Sequence, residues 1–170
     1  ATLGMPPRRI VANLPYNVAT RLLLGWLETP AAFASLTLMF QKEVADRLLA
    51  QPGDDAYGRL SVLVQWLCGV RRVTDLPPSA FTPPPKVWSS VVRLEPRPEP
   101  SHPADRRALE RITEAAFGQR RKMLRQSLKG LGGDALLAAA GIEPTTRPER
   151  LAIADFCRLA NALVERGGSR

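Results

Sequence analysis

The chain has 170 residues, of which 45% are hydrophobic and 24% charged, and its formal net charge is +8 at pH 7. This apolar content is sufficient for a packed core, and no run of about 18 apolar residues predicts a membrane span. The excess positive charge favours a polyanionic partner, because basic side chains release the counterions that condense on phosphates.

Cysteine and histidine are scarce in the sequence. Cys68 and Cys157 are far apart, and His102 is the only histidine. These residues argue against a zinc site, which needs paired cysteines or further histidines, and against a histidine-based nucleophilic triad. A disulfide is left open, but two buried free thiols in a cytoplasmic protein fit the apolar surroundings better.

The first predicted element is a short buried strand, Ile10-Val11-Ala12, that ends in Asn13-Leu14-Pro15-Tyr16. Open α/β sheets bind their ligands at the carboxyl ends of such strands. The Asn13 amide offers a neutral acceptor, the Tyr16 ring offers a face for stacking, and the Leu14 and Pro15 carbonyls are expected to face the same pocket. This set suits the exocyclic amine of a nucleobase. Without further strands beside it, the strand would form an exposed apolar edge.

A strand–helix rhythm continues through the first hundred residues. Apolar spacing predicts a strand buried on both faces over 36–40, and helices over 18–27, 42–50 and 60–67. Two more strands are predicted over 71–75 and 90–94, on either side of a proline-rich loop. Because no long helix separates these two strands, we expect an antiparallel hairpin at the edge of an α/β sheet.

The rest of the chain is predicted to be helical. Prolines between residues 96 and 103 form a stiff linker, so we predict two domains, 1–97 and 98–170. Pro103 suits the first turn of the next helix. Asp134 is expected to cap an alanine-rich helix that Gly141 ends. Amphipathic helices are predicted over 109–117, 120–129 and 154–165.

The helix predicted over 120–129 carries a basic stripe. No acidic residue occurs between Glu114 and Asp134. Residues 121, 125 and 129 would share one helical face, with Gly130 beyond the helix end, and such a stripe predicts contact with phosphates. The apolar residues that would anchor its opposite side are Met123, Leu124, Leu128 and Leu131. The basic residues of this segment are Arg120, Arg121, Lys122, Arg125 and Lys129.

Taken together, five segments of the chain closely resemble the ribosomal RNA adenine dimethyltransferases, in particular their bacterial small-subunit branch. The resemblance runs from about residue 8 to residue 163 and implies the C-terminal half of a Rossmann-like methyltransferase sheet, followed by a small all-α RNA-binding domain. It also implies transfer of two methyl groups from S-adenosylmethionine to the exocyclic amine of adenines in small-subunit ribosomal RNA of the immature small subunit. The segments are 13–16, 41–48, 57–62, 81–90 and 117–125.

The resemblance also implies roles for individual residues. The loop Asn13, Leu14, Pro15 and Tyr16 would hold the target adenine, with the Asn13 oxygen and the Leu14 carbonyl accepting the amine hydrogens. Asn13 would also lie on the cofactor side, and Phe81 would cover the face of the base opposite Tyr16. Contacts to the RNA backbone are expected from Lys86, Arg71 and Arg72, and from the basic residues Arg120, Arg121, Lys122, Arg125 and Lys129.

The family's cofactor motifs are not seen in this sequence, which contains no G-x-G-x-x-G. The resemblance therefore implies the C-terminal part of a longer enzyme, inactive alone, with residues 1–7 as the start of the fragment. A non-catalytic RNA-binding or ribosome-assembly module is the alternative, favoured if the chain is complete. A relative that methylates large-subunit RNA is a third, although the Pro83-Pro84-Pro85-Lys86 loop resembles the small-subunit branch better. The family's usual capping serine or threonine is missing at 151–154, which should slightly weaken the last helix.

Overall fold

The computed structural model describes residues 5–119 and 121–167, and the chain forms two compact units. The first unit comprises Ala1–Leu49 and Leu67–Ser101, and the second comprises Ala50–Trp66 and His102–Arg170. The first unit ends close to the division predicted at residue 97. Residues 50–66, which the predicted division placed with the sheet, belong instead to the second, helical unit.

A mixed four-stranded sheet forms the first unit. Its strands are β1 (Arg8–Asn13), β2 (Phe33–Gln41), β3 (Cys68–Leu76) and β4 (Ser89–Pro96), in the order β1-β2-β4-β3. Strand β1 pairs in parallel with β2, and β4 runs antiparallel to both β2 and β3. All the predicted strands are therefore present, and β3 and β4 form the expected antiparallel hairpin at one edge.

The burial of the strands follows their places in the sheet. In β2, the side chains of Leu36, Leu38 and Phe40 are buried, and so is Met39 between them, which confirms a strand covered on both faces. Among the described residues β1 is the other edge strand, and Val11 on it is 82% exposed. The prediction that this strand is buried is therefore wrong, since none of the residues of β1 is buried and the strand forms an exposed apolar edge instead.

The first unit also contains helices α1 (Tyr16–Trp26) and α2 (Lys42–Leu49), with 3₁₀ turns at Pro30–Ala32 and Pro78–Ala80. The second unit is built from helices α3 to α7, with 3₁₀ turns at Lys129–Leu131 and Pro148–Arg150. None of the helices that the structure describes has the length and apolarity needed to cross a bilayer. The helices are α3 (Arg59–Leu67), α4 (Arg106–Gly118), α5 (Leu124–Ser127), α6 (Gly133–Ala139) and α7 (Ile153–Gly167).

Tyr57 explains why residues 50–66 pack in the helical unit. Its side chain is fully buried, and its hydroxyl donates to the Leu151 carbonyl oxygen at 3.0 Å. Its ring meets Phe117 edge-on at 6.1 Å between centroids, and Phe117 in turn lies 5.5 Å from Phe156. Burial raises the pKa of the Tyr57 phenol, so this hydroxyl keeps its proton and remains a donor.

Both cysteines are buried free thiols, as predicted. Burial raises the pKa of the Cys68 thiol to about 12 and that of Cys157 to about 11. Near neutral pH both therefore remain protonated, and since the thiolate is the reactive form, they act as small apolar side chains.

The helix starts predicted at Pro103 and Asp134 are wrong. At the start of α7, a carboxylate takes the place of the missing capping hydroxyl. Pro103 precedes α4, whose N-cap is Asp105, with Oδ1 accepting from the Ala108 backbone N–H at 2.8 Å. Asp134 lies inside the first turn of α6, whose N-cap is Gly132 at φ +122°, a conformation that favours glycine. Helix α7 lacks a capping hydroxyl, but the Asp155 carboxylate accepts from the Ala152 N–H at 2.9 Å and supplies half of a capping box.

The long basic helix predicted over 120–129 does not form. Helix α5 spans only Leu124–Ser127, and Gly130, expected beyond its end, lies inside the following 3₁₀ turn. The first N–H groups of α5 are taken by another loop, since Leu124 donates to the Thr146 carbonyl at 2.9 Å and Arg125 to that of Pro144 at 3.1 Å. The buried side chains of Leu124 and Leu128 fix the segment in this short form.

The contrast between the two aspartates gives a stability prediction. We expect Asp105→Ala to lower the free energy of unfolding by about 1 kcal/mol, because the cap of α4 is lost. Asp134→Ala is the matched control and should cost less, since Asp134 lies in the first turn of α6, where a carboxylate interacts with the helix dipole without being the N-cap. Urea unfolding of the full-length protein measures both, and equal losses would contradict the assigned caps.

Candidate functional site

The carboxyl ends of β1, β2 and β3 lie at the same end of the sheet. Asn13 at the end of β1 is paired with Met39 in β2, which is paired with Val91 in β4. Because β3 also ends at this edge, Leu76 there pairs with Ser89 at the start of β4. The loop after β1 and the loop 77–88 therefore both leave the sheet at the carboxyl ends of its strands, where α/β proteins bind ligands.

The Asn13–Tyr16 loop is a short connection from β1 into α1. The Asn13 side chain is exposed at the strand end, and Leu14 is half-buried. Pro15 is the N-cap of α1 at φ −56° and ψ 133°. Its carbonyl accepts from the N–H groups of Val18 and Ala19, both at 3.1 Å. The expectation that the Pro15 carbonyl faces the pocket is therefore wrong, and Pro15 instead fixes the entry into the helix.

Tyr16 is the first residue of α1, and its side-chain hydroxyl is held by a hydrogen bond. Its hydroxyl lies 2.5 Å from the Ser89 hydroxyl, across 73 residues of sequence. Ser89 is 0% exposed and begins β4 directly after the loop 77–88. This hydrogen bond joins the loop after β1 to the end of the loop that carries Phe81.

Phe81 follows the 3₁₀ turn Pro78–Ala80, and its N–H donates to the Pro78 carbonyl at 3.2 Å. Its side chain is half-buried, whereas Lys86 further along the same loop is exposed. Val87 and Trp88 are exposed as well, and the Trp88 carbonyl accepts from the Lys42 N–H at 2.9 Å. The structure thus places Phe81 and Lys86 on the loop that shares the sheet edge with Asn13.

A charged network covers the same edge between α2, β3 and β4. Arg72 binds two carboxylates, Asp46 of α2 and Asp75 of β3, the latter at 2.7 Å. Lys42 pairs with Asp46 at 2.9 Å. The buried Ser90 hydroxyl donates to Asp75 Oδ1 at 2.5 Å.

The network lowers the pKa values of its two carboxyl groups, Asp46 and Asp75. Burial alone would raise the pKa of Asp46, but hydrogen bonds from Lys42 and Arg72 outweigh it and hold that pKa below its usual 3.8. The hydrogen bond from Ser90 is the main cause that lowers the pKa of Asp75, and Arg72 adds to it. Both groups are therefore carboxylates at neutral pH.

The two neighbouring arginines of β3 have different surroundings. Arg71 is exposed, whereas the Arg72 guanidinium is held by its carboxylates. A phosphate would have to compete with Asp46 and Asp75 for Arg72. Of the two predicted RNA contacts in β3, Arg71 is thus the better placed.

Much of the predicted basic cluster meets in one groove of the helical unit although the long helix is absent. A cavity of about 450 Å³ is lined by Lys122, Arg125, Gln126, Lys129, Gly133 and Asp134. Arg121 is exposed beside this segment, and Arg120 lies outside the described residues. We call the side chains of Lys122, Arg125 and Lys129 the basic groove.

The hydrogen-bond partners of three polar residues at this end of the sheet could not be predicted from the sequence. Ser89, Ser90 and Asp75 lie in or beside quoted motifs, yet their partners are 73 and 15 residues away. The only signal available was the Ser-Ser pair at the head of a predicted strand, where two polar side chains must point to opposite faces. Within the described part of the chain, no group of three or more histidine, cysteine or acidic side chains could hold a metal ion.

The chain is similar in sequence to known proteins over nearly its whole length. The family model for ribosomal RNA adenine dimethylase matches residues 6–165. The chain is 61% identical over 170 residues to ribosomal RNA small subunit methyltransferase A of Rhodospirillum rubrum, covering 99% of the chain and 59% of that relative. The corresponding protein of Mesorhizobium japonicum is 62% identical over 158 residues, covering 91% of the chain and 56% of the relative. The chain thus spans less than two thirds of the length of these curated relatives.

Two solved structures share the fold. A dimethyladenosine transferase from Plasmodium falciparum superposes with a TM-score of 0.80 at 25% identity, covering 98% of this chain and 70% of that one. The 23S rRNA methyltransferase ErmE gives a TM-score of 0.65 at 25% identity, covering 96% and 68%. These likenesses confirm the predicted fold class, the later part of a Rossmann-like methyltransferase sheet followed by helices.

The network around Arg72 predicts an acid-sensitive contribution to stability. Because the pKa values of Asp46 and Asp75 in the folded protein lie below the ordinary 3.8, the ion pairs stabilise the fold above that pH, and this is lost as pH falls through the folded values. Arg72→Met should lower the free energy of unfolding at neutral pH by about 1 kcal/mol.

Urea unfolding of the full-length protein at about pH 7 and about pH 3 tests this, with Arg71→Met as the matched exposed control. The difference between Arg72→Met and the parent protein should shrink at the lower pH, whereas Arg71→Met should stay near the parent throughout. A difference that does not depend on pH would rule out the carboxylates as its source.

Proposed function

The chain belongs to the ribosomal RNA adenine dimethylase family, and on that basis we propose that it forms the adenine pocket and the RNA-binding unit of a dimethyltransferase. The enzyme transfers two methyl groups from S-adenosylmethionine to the exocyclic amine of adenines in small-subunit ribosomal RNA. The observation that carries this proposal is the loop Asn13–Tyr16, fastened to Ser89 at the carboxyl edge of the sheet.

In this proposal the loop after β1 activates the amine of adenine. That amine is a poor nucleophile because its lone pair is delocalised into the ring. Acceptors for its two hydrogens favour a pyramidal nitrogen and free the lone pair for attack. The exposed Asn13 side-chain oxygen and the Leu14 carbonyl are these acceptors, since the Pro15 carbonyl is already engaged by α1.

Neither acceptor is a base, so the proton lost after each transfer goes to water. The first methylation removes one hydrogen of the amine, and the pocket must then hold a methyl group. The half-buried Leu14 and the exposed Pro15 give the loop an apolar side that suits this second round.

Tyr16 and Phe81 hold the base by stacking on its two faces. Stacking on an aromatic side chain contributes roughly 1–3 kcal/mol per base, comparable to the few kcal/mol needed to unstack an adenine from RNA. Both residues lie at the same end of the sheet, and both are half-buried, so part of each side chain is accessible.

The described residues fit one end of the cofactor. Asn13 lies at a strand end where Rossmann-like sheets hold their ligands, and its amide is exposed. The parallel strands β1 and β2 end in Asn13 and Gln41, so neither contributes a carboxylate for the ribose hydroxyls. When bound, S-adenosylmethionine supplies an electrophilic methyl group on sulfur. The part of the site formed by this chain is therefore Asn13, beside the reacting amine.

The helical unit grips the RNA in this proposal. Lys122, Arg125 and Lys129 line one groove, and Arg121 is exposed nearby. Cations that line one groove suit phosphate oxygens of structured RNA, and such contacts fix the position of the RNA rather than the identity of a base. Lys86 and Arg71 add exposed positive charge on the sheet unit. Arg120 stays in the proposed set from its sequence alone, and Arg72 stays in it only in competition with its carboxylates.

Small-subunit RNA in the cytoplasm is the substrate that the relatives favour. The curated relatives at about 60% identity are named for the small subunit. The ErmE structure, named for 23S RNA, superposes less closely than the dimethyladenosine transferase, with TM-scores of 0.65 and 0.80. We therefore assign the immature small subunit as the partner.

Asn13 is the most direct test of the chemistry. In the full-length enzyme, Asn13→Ala should abolish methyl transfer to small-subunit RNA, because an acceptor for the amine is lost, while RNA affinity changes little. Asn17→Ala, an exposed neighbour on α1, is the control and should keep its activity. Transfer of radiolabelled methyl groups and filter binding measure the two properties.

Equal losses of transfer and of RNA affinity would count against the role given to Asn13. Tight RNA binding by the parent protein without methyl transfer would favour the non-catalytic assembly module instead.

The basic groove is tested by the salt dependence of RNA binding. Arg125→Gln should reduce the slope of log affinity against log salt concentration by about 0.7–0.9, the value for one lost phosphate contact. Arg158→Gln is the matched control, because its guanidinium already pairs with Asp155 at 2.7 Å. If both variants change the slope equally, the groove does not bind phosphate.

A further inference from the structure

The Tyr16 ring is constrained at two points that the loop sequence does not show. At its backbone, Tyr16 is the first residue of α1, whose first turn is closed by the Pro15 carbonyl. At its tip, the hydroxyl is hydrogen-bonded to Ser89 at 2.5 Å. A bond along the ring axis leaves the ring free to flip but fixes χ1, which otherwise has three staggered positions. The direction in which the ring points is therefore set by Ser89.

Ser89 is itself held rigidly. Its side chain is 0% exposed, and its backbone pairs with Gln41 on one side and Leu76 on the other. Strand β4 lies between β2 and β3, so Ser89 begins an interior strand of the sheet. A hydroxyl anchored in this way cannot follow the Tyr16 ring if the ring moves.

Ser89 also marks the end of the loop that carries Phe81. The loop leaves the sheet after Leu76 and returns at Ser89, and these two residues are paired with each other. The hydrogen bond between Tyr16 and Ser89 thus ties one proposed stacking residue to the base of the loop that carries the other. Removing it releases the Tyr16 ring without removing either aromatic side chain.

We propose that Ser89 is a positioning residue. It holds the Tyr16 ring in the orientation needed to stack on the target base and fixes that ring relative to the loop that carries Phe81. This inference rests on the proposed function of Tyr16 as a stacking residue. Ser89 acts through Tyr16 and does not itself touch the substrate. Its removal should slow transfer because the adenine amine is presented less often to the methyl donor.

The next residue offers a matched control. Ser90 is also 0% exposed, and its hydroxyl donates to Asp75 instead of to Tyr16. Ser90→Ala therefore removes a buried serine hydroxyl from the same strand, together with its hydrogen bonds to Asp75 and from Arg72. A loss of activity that merely reflected a weakened β4 would appear in both variants.

The experiment is a double-mutant cycle in the full-length enzyme with small-subunit RNA. We expect Ser89→Ala and Tyr16→Phe each to lower kcat about tenfold, equivalent to about 1.4 kcal/mol, with little change in the affinity for RNA. Because both remove the same hydrogen bond, the double variant should be no slower than either single variant. Ser90→Ala should lower the melting temperature but keep kcat.

A second readout follows the base directly. RNA with 2-aminopurine at the adenine that the parent enzyme methylates should fluoresce less in its complex with the parent enzyme than in its complexes with Ser89→Ala or Tyr16→Phe, since stacking on the Tyr16 ring quenches this base. The complex with Ser90→Ala should match that of the parent.

The outcomes separate the two proposals. Unchanged kcat in Ser89→Ala, or losses that add in the double variant, would overturn the positioning role while the enzyme's function stands. Equal losses of kcat in Ser89→Ala and Ser90→Ala would also overturn it. A parent enzyme that does not methylate the RNA would overturn the proposed function, and the positioning role with it.

Discussion

The parallel pairing of β1 with β2 is the constraint on which the site depends. It sets Asn13 opposite Met39, so that the chain leaves β1 at the same edge where β2 ends and β4 begins. Strand β4 then inserts between β2 and β3 and brings Ser89 within hydrogen-bond distance of Tyr16. A shift of one residue in this register would turn Asn13 to the other face of the sheet and separate the two hydroxyls.

In the proposed function the two units have different roles. The sheet unit presents small, directional groups, an amide and two aromatic rings, which can select and orient one base. The helical unit presents cations in a shallow groove, which can hold a phosphate backbone without reading sequence. Both units have aromatic or aliphatic cores of their own, with Phe40 buried in one and Tyr57 and Phe156 in the other.

Local patterns were enough to predict most of the fold. The strands, the antiparallel hairpin and the helices at 16–26, 42–49 and 106–118 follow from apolar periodicity, which records burial directly. The break in the basic segment could not be predicted in this way. It depends on hydrogen bonds to residues 144–146 and on glycines at positive φ. The same holds for 50–66, whose place is set by Tyr57 reaching Leu151 across 94 residues.

The candidate site was predictable in its motif residues but not in its supports. Asn13, Tyr16 and Phe81 stand in recognisable segments, whereas the ion pairs of Arg72 and the partner of Tyr16 are contacts between distant parts of the chain. Charge alone made Arg72 resemble a phosphate ligand, and only its carboxylate neighbours show why Arg71 is better placed. The caps were mispredicted although they are local contacts: the Asp105 carboxylate, and not Pro103, marks the start of α4 by accepting from the Ala108 N–H, and α6 begins at Gly132 rather than at Asp134.

The most direct test of the proposed activity is a nucleoside analysis of unmethylated small-subunit RNA after incubation with the full-length enzyme and S-adenosylmethionine. Mass spectrometry of the digested RNA should show adenosine carrying two methyl groups on its exocyclic amine. A large-subunit RNA treated in parallel should show none. Methyl groups on another base or another atom of adenine, or RNA that is bound but left unmethylated, would contradict the assignment of the Asn13–Tyr16 loop as an adenine amine pocket.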